Sequence, residues 1–536
     1  MPPVPIGKAG GLGMIFDLPA HQTPPEAWTL ASNIRFRKDK AEKFDGWSAA
    51  MGTPSVAPAF VMNVDEAGDS YWIYANAIGA GSTVRAFNSG SHADISQAGN
   101  YTTANAYDWS GTVFQGVPIV NNGNTDPQYW ASLSLAQALQ DLPNWPANTT
   151  CKVIRSFLSF MVALNISDSG GNHIHRVMWS DAAAPGSLPT SWDVTDPTVE
   201  ANHRDLSDVN SGEIVDGLPL RDFFVIYKKE SAWVMRFIGG VSVMSTKPVI
   251  GQSGLLARRC LSLLTLPRTN QELHFIQNGI DLGVFDGQGF VSVVDRKIRK
   301  KMLSEIDPIY FRNSFTVVDS VNEEAIFAYP MNGSSVPDRA VVWNYSENNV
   351  TFRDFVGVHA ATGVVETAAA ETWASVSGSW AEQGPARWQE IARRRVIIAD
   401  QINTKLQQLG GANDADGTDF STRLMRRGLA VVGVDRNKNP IVDQTKRKLV
   451  TRIWPKITGA PVSVRVGGEE YTSDNDDDPD GANITWLDAQ TFTPGTDRYL
   501  DFHINTPFIA VEITSTDSDI WKLDNYDLEV EIVSEL

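Results

Sequence analysis

Short pairs of apolar segments, each pair joined by a polar turn, recur along the first two thirds of the chain. Residues 221–237 have one such hairpin pattern and residues 272–290 the next, and both are rich in the β-branched and aromatic residues that strands favour. Asn278-Gly279 and Asp286-Gly287 supply the positive φ angles that tight hairpins need. Five or six pairs, spaced by roughly 40 to 55 residues, precede residue 360. This period predicts a β-propeller whose blade number the pattern leaves open.

The composition is typical of an all-β protein. The 536 residues include 16 Trp, 42 Gly and 28 Pro, and long tracts of helix-favouring residues are scarce. The two cysteines, Cys151 and Cys260, are far apart and predict buried, reduced thiols. The first residues lack the apolar core of a secretory signal, and no apolar run approaches the ~18 residues of a membrane span. We therefore expect a globular protein with no integral membrane segment.

Three parts of the chain differ in pattern. Residues 1–50 are rich in Pro and Gly and predict an N-terminal arm, ordered by neighbouring subunits, with a hairpin between residues 33 and 44. Residues 51–440 predict the β-propeller and include a Trp-rich loop with a helix at 386–393 at most. Residues 441–536 alternate apolar with polar or acidic residues, and this alternation predicts a separate acidic β-sandwich-like domain.

The net charge of −18 is unevenly distributed. From Glu469 to the C-terminus the chain holds 18 acidic residues against two basic ones, Arg498 and Lys522, whereas the preceding 468 residues carry a net charge of only −2. A protein that grips nucleic-acid phosphates presents a basic stripe instead. An acidic domain of this kind is suited to letting DNA slide past without sticking, because like charges repel.

Three basic clusters interrupt this pattern, namely Arg296-Lys-Ile-Arg-Lys-Lys301, Arg393-Arg-Arg395 and Lys446-Arg-Lys448. Basic residues are common on exposed strand edges, where they discourage pairing with other chains. Solvated strand edges are therefore the simplest interpretation. Contact with an acidic face of another subunit is a second interpretation, and contact with DNA phosphates is a third.

We assign no catalytic, cofactor-binding or metal-binding residues. The chain lacks the G-x-S-x-G, GxxxxGK[ST] and sialidase S-x-D-x-G-x-x-W motifs. Asp476-Asp-Asp-Pro-Asp-Gly481 matches the first half of a calcium loop, but Leu487 stands where that loop needs Glu, so calcium binding there is left open. His173 and His175 have a spacing that zinc sites use, without a third ligand close in sequence. A loop before the strand at Trp179 is the simpler interpretation of this pair.

An ordered set of short motifs resembles the tail nozzle (tail hub, tail tubular protein B or head-completion stabilisation protein) of short-tailed bacteriophages. In chain order the set comprises Asn33-Ile-Arg-Phe36 with Gly46-Trp47, Trp179-Ser-Asp181 with Ser191-Trp-Asp193, Tyr227-Lys-Lys-Glu-Ser-Ala-Trp233, Gly251-Gln-Ser-Gly254, Phe285-Asp-Gly287 and the C-terminal strand. The match is partial at Phe44-Asp45, which replace the Arg-Pro usual in that family.

The resemblance implies a structural protein of the virion tail, assembled in the host cytoplasm and without enzymatic activity. It implies a ring, usually a homohexamer, that lines the DNA exit channel, retains packaged DNA and passes it during ejection. The implied partners are an adaptor ring attached to the portal, tail fibres or a needle, and double-stranded DNA that passes without specific binding. A receptor-binding or glycan-degrading tailspike-like protein is the alternative, and a free-standing ligand-binding propeller is a third possibility.

Overall fold

The chain is built almost entirely from antiparallel strands. The computed structural model describes residues 3–535 except 67–68, 77–79, 98–100, 103–107, 208–211, 241, 250–253, 366–393, 438, 473 and 476. The predicted helix at 386–393 lies outside the described residues, as do residues 251–253 of one family-like motif. The described residues form a β-propeller and a β-sandwich, which agrees with the all-β fold expected from the sequence.

Seven four-stranded blades make up the described part of the propeller. Blade 1 contains β6 (Phe60–Glu66), β7 (Asp69–Ala75), β9 (Val84–Asn88) and β10 (Ser91–Asp94). Blade 2 contains β12 (Ser110–Phe114), β13 (Val117–Asn121), β14 (Gln128–Tyr129) and β15 (Gln140–Asp141). Blade 3 contains β16 (Thr150–Phe157), β17 (Phe160–Asp168), β18 (Gly171–Trp179) and β19 (Asn202–Asp205). A small extra pair consists of β8 (Ala80–Ser82), which lies between β7 and β9 in sequence, and β11 (Tyr101–Thr102), which follows β10.

The remaining blades follow the same plan. Blade 4 contains β20 (Ile214–Leu220), β21 (Phe223–Lys228), β22 (Ala232–Phe237) and β23 (Met244–Pro248). Blade 5 contains β24 (Leu261–Leu266), β25 (Gln271–Gln277), β26 (Leu282–Phe285) and β27 (Phe290–Ser292). Blade 6 contains β28 (Phe315–Asp319), β29 (Glu324–Tyr329), β30 (Arg339–Asn344) and β31 (Asn349–Asp354). Blade 7 contains β32 (His359–Val364), β33 (Arg394–Asp400), β34 (Lys405–Leu409) and β5 (Trp47–Ala50).

The ring of blades is closed by a strand from the other end of the chain. The first strand of each blade lies nearest the axis, and these inner strands contact one another in order from blade 1 to blade 7 and back to blade 1. β5 precedes blade 1 in sequence, yet it pairs with β34 and forms the outer strand of blade 7, with Ala49 opposite Gln407. Separating blade 7 from blade 1 therefore requires the loss of a complete strand pairing.

Two sheets pack face to face to form the sandwich. One sheet contains β1 (Val4–Ile6), β3 (Ile34–Arg37), β4 (Lys40–Lys43), β38 (Lys446–Gly459), β42 (Leu500–Thr506) and β44 (Trp521–Glu535). The other contains β2 (Leu30–Ser32), β35 (Thr422–Leu429), β39 (Val462–Glu469), β40 (Thr485–Trp486), β41 (Gln490–Phe492) and β43 (Phe508–Ser515), and a separate pair consists of β36 (Val431–Val434) and β37 (Pro440–Val442). In β43 the apolar residues Ile509, Val511 and Ile513 are fully buried, and Ala510 and Glu512 between them are buried too, so both faces of this strand are covered.

One sheet runs through both domains. β31 of blade 6 pairs in parallel with β2, and β2 pairs with β35 of the sandwich, so that ten strands share one hydrogen-bonded sheet. A single sheet resists bending where its strands are paired and packed on both faces. The propeller and the sandwich are therefore joined by paired backbone, although β31 and β2 share one residue pair, Ser32 with Phe352.

The N-terminal segment differs from the predicted arm. The predicted hairpin is present as β3 and β4, but β1 and β4 both pair with β44, the last strand of the chain. Its apolar residues, including Val4 and Ile6, are buried in the sandwich core. The sandwich thus needs strands from both ends of the chain, and its C-terminal part begins at Thr422 rather than at residue 441.

Helical structure is sparse among the described residues. Two short 3-10 helices lie at Ala20–Gln22 and Phe311–Asn313, and the helix α1 spans Arg299–Glu305. α1 contains half of the first basic cluster, which the sequence analysis places on a strand edge. The propeller chain has to pass from the outer edge of blade 5 to the inner strand of blade 6 at this point, and α1 lies in that connection.

Candidate functional site

An arginine side chain spans the propeller axis near the end where the inner strands begin. Arg259 precedes β24 of blade 5, and its guanidinium donates to the carbonyl oxygens of Trp109 (3.2 Å), Ala59 (3.4 Å) and Val358 (3.5 Å). Those carbonyls precede the inner strands of blades 2, 1 and 7. Blades 1 and 2 lie across the ring from blade 5, so the side chain spans the axis.

The surroundings of Arg259 are apolar as well as polar. Its guanidinium lies 5.7 Å from the centre of the Phe60 ring, and Phe60 stacks on His359 at 5.1 Å. Burial lowers the pKa of Arg259 to about 9, and the charge of the adjacent Arg258 adds to this effect. Burial also lowers the pKa of His359 well below its ordinary value, with Arg259 contributing. A neutral His359 ring and several backbone carbonyls thus accommodate the buried arginine.

We expect Arg259→Leu to weaken the propeller. The substitution leaves three buried carbonyls without this donor, and an unsatisfied buried group costs about 1 to 3 kcal/mol. The free energy of unfolding in urea, followed by circular dichroism, should fall by about 3 kcal/mol. Arg268→Leu is the control, because Arg268 lies exposed in the turn between β24 and β25. Equal stability of the two variants would show that Arg259 does not hold the blades together.

A buried ion pair bridges three neighbouring blades. Arg155 of β16 donates to both carboxylate oxygens of Asp216 in β20, at 2.8 and 3.1 Å, and to the carbonyl oxygen of Gly111 in β12 at 2.9 Å. Asp216 is almost fully buried. A bidentate pair has fixed geometry, so this contact sets the spacing of blades 2, 3 and 4.

A cavity of about 290 Å³ is lined in part by Arg258, the residue before Arg259. It is lined by four basic side chains (Lys152, Lys229, Arg258 and Arg312) and by two acidic ones (Asp108 and Glu213). Lys229 and Glu213 form an ion pair of 2.9 Å, and bases still outnumber acids in the remainder. The cavity therefore favours the binding of a negatively charged group over that of a positively charged one.

The joint between propeller and sandwich is the second concentration of buried charge. Arg35 of β3 donates to Glu324 of β29 at 2.6 Å and to Asp45 at 3.0 Å. Glu324 is 1% exposed. Burial opposes the charge on Arg35, but the carboxylates of Glu324 and Asp45 outweigh it and raise the pKa of the guanidinium.

Phe44 lies between two guanidinium groups in the same joint. Arg35 lies 4.9 Å and Arg353 4.7 Å from the centre of its ring. Arg353 also donates to the carbonyl oxygens of Asp45 and Gly46. Phe44-Asp45, where the sequence departs from the family pattern, thus supply a ring and a carboxylate to these two arginines.

Asn33 fixes the chain where it passes between the two sheets. It has a φ of 59°, a conformation that Asn tolerates better than most residues. Its Nδ2 donates to Asp354 (2.7 Å) and to the Ser421 carbonyl (2.8 Å), and its Oδ1 accepts from the Asp354 backbone N–H (2.8 Å). Asn33 therefore connects β31 of blade 6 to the segment that leads into the sandwich.

Bases elsewhere in the chain pair with many of the C-terminal acids. Residues 422–468 hold eleven bases against two acids. Ion pairs join Arg427 to Glu469 and Asp478, Arg447 to Glu470, Arg423 to Asp480 and Glu512, Arg465 to Glu512, Arg452 to Asp501 and Glu529, Lys456 to Asp527, and Lys40 to Asp524. The exposed carboxylates outside these pairs, among the described residues, are those of Asp474, Asp477, Asp488, Asp517, Asp519 and Glu531.

Two acids of the calcium-loop-like segment, Asp478 and Asp480, have partners within the chain. Asp476 lies outside the described residues. Asp478 accepts from the backbone N–H groups of Ala482 and Asn483, and its carboxylate lies 3.3 Å from Arg427. In the described part of the chain, no group of three or more His, Cys, Asp or Glu side chains has an arrangement that could hold a metal ion.

The two histidines of the i, i+2 pair lie on β18 and not in a loop. His173 contacts Asp168 at 3.0 Å through Nε2, whereas the buried Nδ1 of His175 has no partner among the described residues. The strand extends further back than expected because residues 171–173 pair with the end of β17. The two cysteines are buried and free, as predicted.

The other two basic clusters also have specific contacts. Arg393 lies outside the described residues, and Arg394 lies 3.9 Å from Asp65. On β38, Arg447 pairs with Glu470, and the ammonium of Lys448 donates to the Pro507 carbonyl at 2.6 Å. Pairing with an acidic segment is thus seen within the chain for the third cluster.

No sequence motif marks the residues that lie at the axis. Arg259 and the Arg155–Asp216 pair belong to no motif, because propeller inner strands read as ordinary strands. The local signal is the Arg258-Arg259 pair just before the buried Cys260 and Leu261, where two adjacent bases are unusual.

Comparisons with known proteins bear on the fold alone. The sequence matches no protein-family model and no curated protein. Among solved structures the chain is similar to the WD40 β-propeller domain of Doa1, with 8% identity and a TM-score of 0.38 over 68% of this chain and 97% of that chain. It is also similar to YCF48 bound to D1 peptide, with 9% identity and a TM-score of 0.31 over 58% of this chain and 84% of that one. None of the described helices is long and apolar enough to cross a membrane.

Proposed function

We propose that the protein is a structural subunit of the tail nozzle of a short-tailed phage, acting as one segment of a ring around the DNA exit channel. The observation that carries the proposal is where the family-like motifs lie. Several of them make contacts between blades or between domains, and the ordered set of motifs resembles that family.

The N-terminal motif supports this role most directly. Asn33, Arg35 and Phe44 hold blade 6 to the sandwich through the contacts described above. Gly46 adjoins Asp414 so closely that an added Cβ would collide with the Asp414 carbonyl. A nozzle subunit has to transmit force between the portal side and the fibre side of the tail, and a rigid joint of this kind serves that purpose.

The central motifs support it in the same way. Tyr227 donates or accepts a hydrogen bond of 3.0 Å with His274 and packs edge-on against Phe285, which joins blades 4 and 5. An added Cβ on Gly254 would collide with the backbone of Lys228 and Lys229. The residues that carry the resemblance are thus structural ones, in keeping with a protein whose function is mechanical and not catalytic.

The DNA channel of the proposed ring lies between copies of the chain. Arg259 spans the propeller axis, so the hole within one propeller offers no path for a duplex. The wall that DNA slides past would then be an outer surface of each subunit. A homohexamer attached to an adaptor ring and carrying fibres or a needle is the arrangement that the resemblance implies.

On the proposal that the acidic surface of the sandwich lines the channel, we expect its exposed acids to determine how freely DNA slides past. Replacing Asp474, Asp477, Asp488, Asp519 and Glu531 together by Lys should slow DNA ejection from particles, because bound counterions are released when bases meet phosphates. Replacing the same five residues by Asn or Gln is the control for loss of acid without gain of base. Ejection at the wild-type rate in the Lys variant would contradict the sliding role.

The location of the protein tests the proposal independently of ejection. Gold-labelled antibodies raised against the purified chain should bind the tails of intact particles in electron micrographs. Labelling of the head shell alone would contradict the proposal. So would the absence of tail labelling on particles whose protein content includes this chain. A tailspike-like receptor-binding protein, the second candidate, would label the tail periphery as separate trimers.

A further inference from the structure

Four basic side chains from separate segments of the chain line the cavity of about 290 Å³ described above. Lys152 lies near the start of β16 in blade 3, and Lys229 lies in the turn that follows β21 in blade 4. Arg258 precedes β24 of blade 5, and Arg312 lies in the 3-10 helix before β28 of blade 6. The fold thus brings four cations from four neighbouring blades to one cavity.

Two carboxylates only partly balance these bases. Burial alone would raise the pKa of Glu213, but the hydrogen bond and the charge of Lys229 outweigh it and lower the pKa, and Arg312 adds to this effect. Asp108 is the other acid in the wall, and Arg258 donates to its backbone carbonyl at 3.1 Å. Four positive charges against two negative ones leave the cavity with a net charge of +2.

Two of the four bases are available to a ligand. Lys152 is half-buried and Arg312 is exposed. In the part of the chain that the structure describes, the ammonium of Lys152 and the guanidinium of Arg312 take part in no hydrogen bond and no ion pair. Their N–H donors can therefore bind a group in the cavity without breaking an internal contact. Burial lowers the pKa of Arg258 in the same wall, and an anion bound in the cavity would favour its charged form.

The charge and the layout of these donors favour phosphate over a carboxylate. A phosphate monoester carries a charge of about −1.5 to −2 at pH 7 and three acceptor oxygens, which suits a net charge of +2 and bases from several blades. A carboxylate carries one charge on two oxygens. Arginine donates to phosphate through a planar fork, and lysine contacts it as a point charge. The cavity volume is close to the ~300 Å³ lower end of small-ligand sites, which suits a group of this size.

We propose that this cavity binds a doubly charged phosphate group, either as inorganic phosphate or as the terminal phosphate of a monoester. Lys152 and Arg312 donate to its oxygens, and the charge of Arg258 adds to the attraction. The inference does not depend on the nozzle role, because it uses only the cavity and the charges in its wall.

Phosphorus-31 NMR of ligand solutions titrated with the full chain tests the site, at an ionic strength held constant with sodium chloride. The probes are inorganic phosphate, methyl phosphate and dimethyl phosphate, and malonate is a competitor with two charges on planar carboxylates. Inorganic phosphate should bind with a Kd of about 1 mM or below. Dimethyl phosphate, which carries a single charge, should bind at least tenfold more weakly, and malonate should displace phosphate only at higher concentration.

Substitutions in the wall should change the affinity in both directions. Lys152→Gln and Arg312→Gln each remove one cation that has no internal partner, so both variants should fold, and each should weaken phosphate binding by about tenfold. Asp108→Asn removes a negative charge and should tighten binding several-fold, an effect that damage to the fold would not produce. Lys247→Gln and Arg268→Gln are the matched controls, because both bases are exposed and lie outside the cavity wall.

Three results would overturn the proposal. One is that inorganic phosphate does not bind at about ten times a ~1 mM Kd. Another is binding that Lys152→Gln and Arg312→Gln weaken no more than the two controls do. The third is that dimethyl phosphate or malonate binds as tightly as inorganic phosphate. Methyl phosphate then identifies the source of the group. Binding equal to that of inorganic phosphate indicates the end of a larger molecule, much weaker binding indicates the free ion, and both support a phosphate site.

Discussion

Glu324→Gln is expected to loosen the joint between the propeller and the sandwich. The substitution keeps the shape of the side chain but removes the charge that pairs with Arg35, a residue whose side chain is only 6% exposed. Breaking a buried ion pair from one side leaves an uncompensated charge and costs about 3 to 5 kcal/mol. Asp45 still faces Arg35 but is 39% exposed, so the free energy of unfolding in urea should fall by about 3 kcal/mol.

Glu323→Gln is the control for this experiment. Glu323 lies one residue earlier, in the turn before β29, and belongs to none of the ion pairs described for the joint. Its variant should unfold at nearly the wild-type urea concentration. Limited proteolysis supplies a second readout, because Glu324→Gln should expose the segments on either side of the joint to cleavage. Two variants of equal stability and equal protease resistance would contradict the role of the Arg35–Glu324 pair.

Glu469→Gln should have an effect of similar size within the sandwich. The Glu469 carboxylate accepts two hydrogen bonds of 3.1 Å from Arg427, and both side chains are 1% exposed. Arg427 keeps Asp478 at 3.3 Å, so we expect a loss of about 3 kcal/mol in the free energy of unfolding, at the lower end of the range for a broken buried pair. Urea unfolding followed by tryptophan fluorescence measures this loss.

The adjacent residue provides a close control. Glu470 also pairs with an arginine, Arg447, at 2.7 and 2.8 Å, but its side chain is 58% exposed. Water screens an exposed pair and the side-chain entropy cost offsets the attraction, so Glu470→Gln should leave the unfolding curve almost unchanged. A larger loss for Glu470→Gln than for Glu469→Gln would mean that burial does not determine the strength of these pairs.

The repeated strand pairs were sufficient to predict a propeller, because each hairpin has a local pattern. The turn at residues 228–231 and the strands on either side occur as expected. Ring closure by β5 was not predictable in the same way. Residues 47–50 carry an unremarkable short sequence, and their pairing with β34 joins positions about 360 residues apart. Pairing over that distance leaves no local signal in a single sequence.

The N-terminal segment was misjudged for a related reason. Pro and Gly indicate the absence of a regular helix, and they were interpreted as an arm directed at another subunit. The structure instead uses Val4 to Ile6 as an edge strand beside β44, where Pro5 is tolerated because an edge strand has an unpaired side. From the sequence, the acidic residues of the C-terminal stretch likewise lack basic partners. Their partners depend on tertiary structure, as in the ion pairs of Glu512 with Arg423 and Arg465.

The candidate sites depended even more on tertiary structure. Arg259 reaches blades 1, 2 and 7 from a position before blade 5, and nothing near it in sequence indicates those partners. The Ser191-Trp-Asp193 motif was noted as family-like, but the packing of Trp192 against Trp145 follows from the path of a long loop. Short motifs therefore identified residues of importance without indicating what they contact.

The mass of the assembled protein tests the central proposal most directly. Native mass spectrometry of the purified chain, alone and with the adaptor ring, should give a closed hexamer, and negative-stain images of the same sample should show a ring with a central hole. A chain that stays monomeric even with the adaptor present, or that forms a compact trimer without a hole, would contradict the nozzle role.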